Sequence, residues 1–168
     1  MPVQTALVGA GGAVKSIFVV LSSMAPFVEN KGSILLAAAL NVKWYLAYIG
    51  TSIGSFLPVP FLLRAGDRGM QRLRRFGPAA RVLDQVEAFS RQHEAFLKRH
   101  GYLALALIIS VPFTGIGCWA GVLLSNMLGL DKKHSTAAIL AGIIVSGFLT
   151  TAGAYGLFLG IRSLIRLW

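Results

Sequence analysis

Along the chain, apolar residues gather into four long stretches of two kinds. Trp44 to Leu63 is continuous and about as long as a helix must be to cross a bilayer, with Trp44, Tyr45 and Tyr48 at one end and Arg64 at the other. Thr136 to Ile161 is a second such stretch, preceded by Lys132, Lys133 and His134 and followed by Arg162, Arg166 and Trp168. The other two, Ile17 to Leu40 and Tyr102 to Leu130, are interrupted near their middles by proline, glycine and small polar residues. In the later one, Pro112-Phe-Thr114-Gly115-Ile-Gly117 cannot continue a regular helix without freeing backbone groups. At membrane depth such backbone is tolerated only inside protein or along a cavity, so both interrupted stretches are expected as re-entrant helical hairpins.

The order is therefore broken stretch, span, charged connection, broken stretch, span. Short internal matches support a repeat: Met24-Ala-Pro26-Phe27 with Ser110-Val-Pro112-Phe113, and Ile53-Gly-Ser-Phe56-Leu57 with Val145-Ser-Gly-Phe148-Leu149. The offset grows from 86 to 92 residues, which requires a short insertion in the second half. The expected fold is an all-α integral membrane protein of two inverted repeats, each a re-entrant hairpin plus a membrane-spanning helix. Residues 1–66 form the first (hairpin 17–40, span 44–63), 67–100 a basic cytoplasmic connection, and 101–168 the second (hairpin 101–130, span 136–161). Paired interrupted segments in corresponding halves point to a transport site near the midplane.

Composition strengthens the membrane reading. Hydrophobic residues make up 55% of the chain and charged residues 13%, about half the share in a soluble domain. Nine of the sixteen Lys/Arg and four of the six Asp/Glu lie between Arg64 and Arg99, leaving the apolar stretches almost uncharged. By the positive-inside rule this connection faces the cytoplasm of an inner-membrane protein. Within it, Val82, Val86, Phe89, Phe96 and Leu97 recur at helical spacing between charged positions, so Ala79 to Arg99 is expected as one amphipathic helix on the inner membrane surface. Topology accounts for the net charge of +10, so no nucleic-acid partner is expected. Charge at the ends is less decisive. Re-entry of both broken stretches would put Arg162 and Arg166 outside, whereas two full crossings would put both termini inside.

Other chemistry is thin. The single cysteine, Cys118, allows no intrachain disulfide. His93, His100 and His134 show no ligand spacing with carboxylates or thiols, and no nucleophile–base pair is evident, so neither a metal, a cofactor nor an enzyme is expected. Met1 to Gly12 lacks the basic start of a secretory signal, and Gly9-Ala-Gly11-Gly12 reads as small residues for close helix packing rather than a dinucleotide turn.

One acidic residue stands apart. Glu29 is the only acid before Asp67 and lies in the first broken stretch, three residues after Pro26 and two before Lys31. A carboxylate and an ammonium at membrane depth are costly unless paired or facing a water-filled cavity, and such residues mark function. The alternative is a short polar loop at the bilayer surface.

Here the residues resemble a known family. Pro26-Phe-Val-Glu29-Asn-Lys31-Gly32-Ser33-Ile34 is similar to the acidic-x-basic motif of the small multidrug export family. Gly54-Ser-Phe-Leu57-Pro58-Val-Pro60-Phe61, His100-Gly101-Tyr102-Leu103-Ala104-Leu105 and Pro112-Phe-Thr114-Gly115-Ile-Gly117-Cys-Trp119-Ala-Gly121 also match its pattern. That family is in turn similar to the DedA (VTT-domain) superfamily of lipid flippases and scramblases. The resemblance implies inverted halves and movement of polyprenyl-phosphate or phospholipid head groups, with proton coupling. Lys31 stands where arginine is usual, Leu35 where proline is common, and Ser55 where asparagine is frequent; Gly117 and Cys118 replace the commoner small residues before Trp119.

The expected site comprises Pro26, Glu29, Lys31, Ser55, Arg64, Pro112, Thr114, Gly115, Gly117 and Trp119. Desolvation disfavours a charged carboxylate, which suits Glu29 to exchanging a proton. Lys31 would pair with it or contact phosphate, and Thr114 with the amides of Gly115 to Gly117 would form an anion-accepting tip. Arg64 would stand at the inner mouth, Ser55 at a substrate contact, and Trp119 against the opposing hairpin. The expected partners are an anionic lipid or lipid-linked phosphate, protons and a second copy of the chain. A proton-coupled exporter of cationic drugs and a non-transporting scaffold are the competing readings.

Overall fold

The computed structural model describes residues 2–26, 28–73, 75, 77–112 and 117–165; side chains are described between 11 and 156, with gaps at 67–74, 78–79, 82–83 and 98 besides those of the backbone. Among the described residues all regular structure is helical. The order is α1 (Pro2–Ser23), α2 (Glu29–Ala39), α3 (Trp44–Phe56), α4 (Val59–Leu73), α5 (Gly77–Gln92), α6 (Glu94–Ser110), α7 (Cys118–Met127) and α8 (Lys132–Ile165). They form two compact units, Met1–Ser55 with Gly147–Trp168, and Phe56–Ser146.

In the first unit the chain breaks after Ser23, where Pro26 has no amide hydrogen to continue the helical ladder. Met24 and Ala25 close the end of α1 with amides donated to Leu21 and Ser22 carbonyls, and α2 starts at Glu29. α2 then runs back along α1. The Ser22 and Ser33 hydroxyls meet at 2.8 Å, and Lys15 Nζ reaches the Leu40 carbonyl at 3.5 Å, a consistent antiparallel register. Packed between the helices and α3 are Val19, Ala37, Val42 and Ala47.

The second unit repeats this local plan. α6 breaks at Val111, α7 starts at Cys118, and α7 returns along α6. A Cβ on Gly121 would meet Ile109, and one on Gly101 would meet Leu130, again an antiparallel register. Its core joins Leu97, Leu105, Ile109, Val122, Leu124, Ile139 and Ile143.

α2 and α7 end in the same cap, a Schellman motif whose C′ residue is left-handed. Asn41 (φ 57) donates to Ala38 and Val42 to Ala37; Gly129 (φ 63) donates to Asn126 and Leu130 to Ser125. The two caps lie 88 residues apart, as do the helix pairs that each joins to the next helix: Ala37 and Ala47 in one unit, Ser125 and Ser135 (Oγ–Oγ 2.6 Å) in the other. Gly54 of α3 sits over the Val20 carbonyl and Gly142 of α8 over that of Ala106, an offset on the first helix of 86. These offsets of 86 and 88 differ from the 92 expected by matching Ile53–Leu57 with Val145–Leu149: the packing glycines pair Gly54 with Gly142 instead.

Two helical stretches are long and apolar enough to cross a membrane, Trp44–Gly66 and Lys132–Gly156. The first carries a turn at Leu57–Pro58, where Pro60 sits safely in the first turn of α4, and ends at Gly66 with a non-helical φ of 52. Ile49, Ile53, Leu57 and Phe61 are more than half exposed or at half exposure at four-residue spacing, an apolar stripe suited to lipid.

The expected amphipathic helix is instead two. α5 stops at Gln92; His93 leaves helical geometry (φ −117, ψ 24), and α6 restarts at Glu94 with a second kink at His100. Val86 and Leu97 are almost wholly buried and Phe89 half-buried in the core of the second unit, so this stripe packs largely against protein, while Phe96 is exposed. The side chains of Val82 and Lys98 lie outside the described residues.

Candidate functional site

The first break concentrates buried polar side chains in the first unit. Glu29, Asn30 and Lys31 occupy the first turn of α2 and are 7%, 2% and 9% exposed. Glu29 has φ 47, in the left-handed region that costs a side-chain-bearing residue about 1–2 kcal/mol. Asn41 shares that conformation, but asparagine is suited to it and serves there as a cap. Glutamate is not. Strain of this kind persists where surrounding structure enforces it and clusters at functional positions. Around it, Pro26 is half-buried in the turn, and Glu29 N–H donates to the Ala25 carbonyl at 3.0 Å.

Hydroxyl groups line the neighbouring helices. Ser23 and Ser55 are fully buried; Ser55 donates to the Ser23 carbonyl at 2.9 Å, and Ser23 to Val20 at 2.7 Å. Ser55, expected at a substrate contact, is here bonded to the carbonyl of the last residue of α1. α3 reaches α1 this closely because Gly50 and Gly54, four apart, carry no side chain where Val20 and Ser23 sit. Gly147 of α8 packs onto the Asn30 side chain, Ser52 and Tyr48, each 3.2 Å from where its Cβ would be. Further along α8, Tyr155 donates to the Val42 carbonyl at 2.7 Å. Advancing along α8 therefore retreats along α3, so within the first unit these two helices run antiparallel.

The other expected residues lie in the second unit. Pro112 is half-buried at the break, and Gly117 is buried and extended, capping α7. Trp119 packs against the core of that unit. Arg64 is exposed and lines a pocket of about 360 Å³ with Pro60, Leu63, Lys132, Lys133 and Thr136. Thr114 and Gly115 lie outside the described residues. The structure thus brings Pro26, Glu29, Lys31 and Ser55 into one unit and Arg64, Pro112, Gly117 and Trp119 into the other. Sequence reading passed over Asn30, Ser22, Ser33 and Ser52, although polar residues within an apolar run were a visible signal. Lys132 and Lys133 were read only as flanking anchors.

The first break thus buries an acid and a base close to buried hydroxyls, and charged side chains buried in an apolar helical protein are costly to keep without a role. The family model described as "Putative small multi-drug export protein" matches residues 29–149, most of the chain and beginning at Glu29 itself. The chain belongs to this family. No curated protein and no solved structure matches it. Membership and the apolar helices together mark it as a membrane protein of an export family.

Proposed function

We propose that this family member moves an anionic lipid head group, a polyprenyl phosphate or phospholipid, across the inner membrane, with Glu29 exchanging protons and Lys31 contacting phosphate. The observation that carries the reading is the burial of Glu29, Asn30 and Lys31 together on a strained turn at a helix break. A buried lysine beside the acid supports an anionic cargo, because a phosphate and Glu29 would exchange places as its counter-ion. A carrier of cationic drugs, the reading nearest the family's description, would set Lys31 against its own cargo. In our reading each helix pair re-enters the membrane from one face, the two repeats are inverted, and the basic connection after Arg64 faces the cytoplasm. The DedA likeness belongs to the same proposal, as does a second copy of the chain shielding the polar interior.

The test is head-group translocation in proteoliposomes of a polyprenyl phosphate, with an anionic phospholipid and a cationic dye in parallel. Each is run with and without a pH gradient, for wild type and Glu29→Gln. Lipid movement that loses its gradient dependence in Glu29→Gln supports the proposal. Dye movement alone would favour the cation exporter, and movement of nothing, with Glu29→Gln tolerated, would favour a scaffold.

A further inference from the structure

We propose that the pocket lined by Pro60, Leu63, Arg64, Lys132, Lys133 and Thr136 is a binding site for a phosphate-class anion. It lies wholly within the second unit and is separate from Glu29 and Lys31, so it stands whether or not the protein transports lipid.

The argument is one of charge balance. Arg64 closes the first candidate span and Lys132 and Lys133 open the second; folding brings residues almost seventy positions apart around one hollow. Among the described lining residues three are cations and none is acidic; the side chain of Asp67 lies outside the described residues. The acid nearest in sequence is engaged elsewhere. Asp131 Oδ1 accepts the amides of Lys133 and His134 at 3.1 and 3.0 Å and contacts His134 Nδ1 at 2.6 Å, and Asp131 does not line the pocket. The Thr136 hydroxyl is likewise committed, donating to the Lys132 carbonyl at 2.7 Å. Leu63, 1% exposed, and Pro60 form an apolar wall, which strengthens attraction to an ion seated against it.

The donor set fits phosphate. A guanidinium offers a planar fork to two oxygens, and two ammonium groups add mobile point charges. A volume of about 360 Å³ holds a phosphate together with part of an ester substituent. Because both spans begin or end here, the pocket lies at head-group level. The anion is thus the phosphate of a lipid head group or a free phosphate.

The full chain in phosphatidylcholine nanodiscs distinguishes them. Its thermal midpoint is followed as inorganic phosphate is titrated at constant ionic strength set with chloride, and separately as phosphatidic acid replaces part of the lipid. Wild type is compared with a pocket variant, Arg64→Gln with Lys132→Gln and Lys133→Gln. A control removes three exposed cations elsewhere, Arg81→Gln with Arg91→Gln and Arg99→Gln. The proposal expects a midpoint rise that the control keeps and the pocket variant loses, with apparent affinity weakened at least about tenfold. A rise with phosphatidic acid alone assigns the site to a lipid head group, and one with inorganic phosphate assigns it to the free anion. No rise in either arm, or equal loss in the control, overturns the site in favour of a diffuse basic surface. Should the triple variant not fold, single substitutions carry the test, each expected to weaken binding about fivefold.

Discussion

The Ser55 hydroxyl and the Ser23 carbonyl, 32 residues apart, meet at 2.9 Å where α1 ends and the first break begins. The bond ties α3 to the last residue of α1, next to the break that holds Pro26. Ser55→Ala removes this buried hydrogen bond and is expected to cost about 1 kcal/mol. Gly54→Ala is expected to cost more. Its methyl would collide with Ser23 Oγ and lie 2.6 Å from the Val20 carbonyl, which is backbone and cannot step aside. Thermal denaturation in detergent would rank them, and a milder Gly54→Ala would refute the close approach of α3 to α1.

The two Schellman caps give a paired experiment. Asn41 and Gly129 both hold left-handed backbone, and nothing lies within 4 Å of a Cβ built on Gly129, so Gly129→Ala probes the backbone alone. It is expected to lower stability by about 1 kcal/mol. Asn41→Gly should be neutral or slightly stabilising, since glycine takes this conformation without penalty. Chemical denaturation midpoints would read both; a stabilising Gly129→Ala would mean that the cap is not formed as described.

Asp131 caps α8 and ties its carboxylate to acid-sensitive stability. The His134 amide, and then the His134 side chain, hold its pKa below the ordinary 3.8. A carboxyl group whose folded value is depressed stabilises the fold at pH above its unfolded value, and that contribution is lost as pH falls below 3.8 through the folded value. Asp131→Ala should lower the melting midpoint at neutral pH and flatten its decline on acidification below about pH 4. An unchanged acid limb in the variant would assign that limb to other carboxylates.

Under the orientation proposed above, with the connection after Arg64 in the cytoplasm, Arg64, Lys132 and Lys133 would lie on the cytoplasmic side and Lys43 on the other. Cys118 is buried, so labelling with an impermeant thiol reagent has little background. Lys43→Cys is expected to be labelled from outside intact cells, and Lys133→Cys only after the membrane is opened. Labelling of both from outside would overturn the proposed orientation.

The apolar character, the two candidate spans and the two helix breaks were legible in the sequence because each depends on neighbours within a few turns. Twenty apolar residues in a row, or a proline among glycines, act locally whatever the rest of the chain does. Glu29 and Lys31 stood out for the same reason, as charges in an apolar run. The division of the amphipathic stretch at His93 was not legible, because helical periodicity carries across a short interruption that keeps the same face buried.

What tertiary structure alone decided is which distant groups meet. Apolar period fixes that a face is buried, not against what. Only packing assigned Ser55 to the Ser23 carbonyl, set Gly54 and Gly142 over first-helix carbonyls, and turned the flanking cations Lys132 and Lys133 toward Arg64. The left-handed backbone of Glu29 belongs with them. Its residue type argues against that conformation, so the strain exists only because the surrounding fold enforces it.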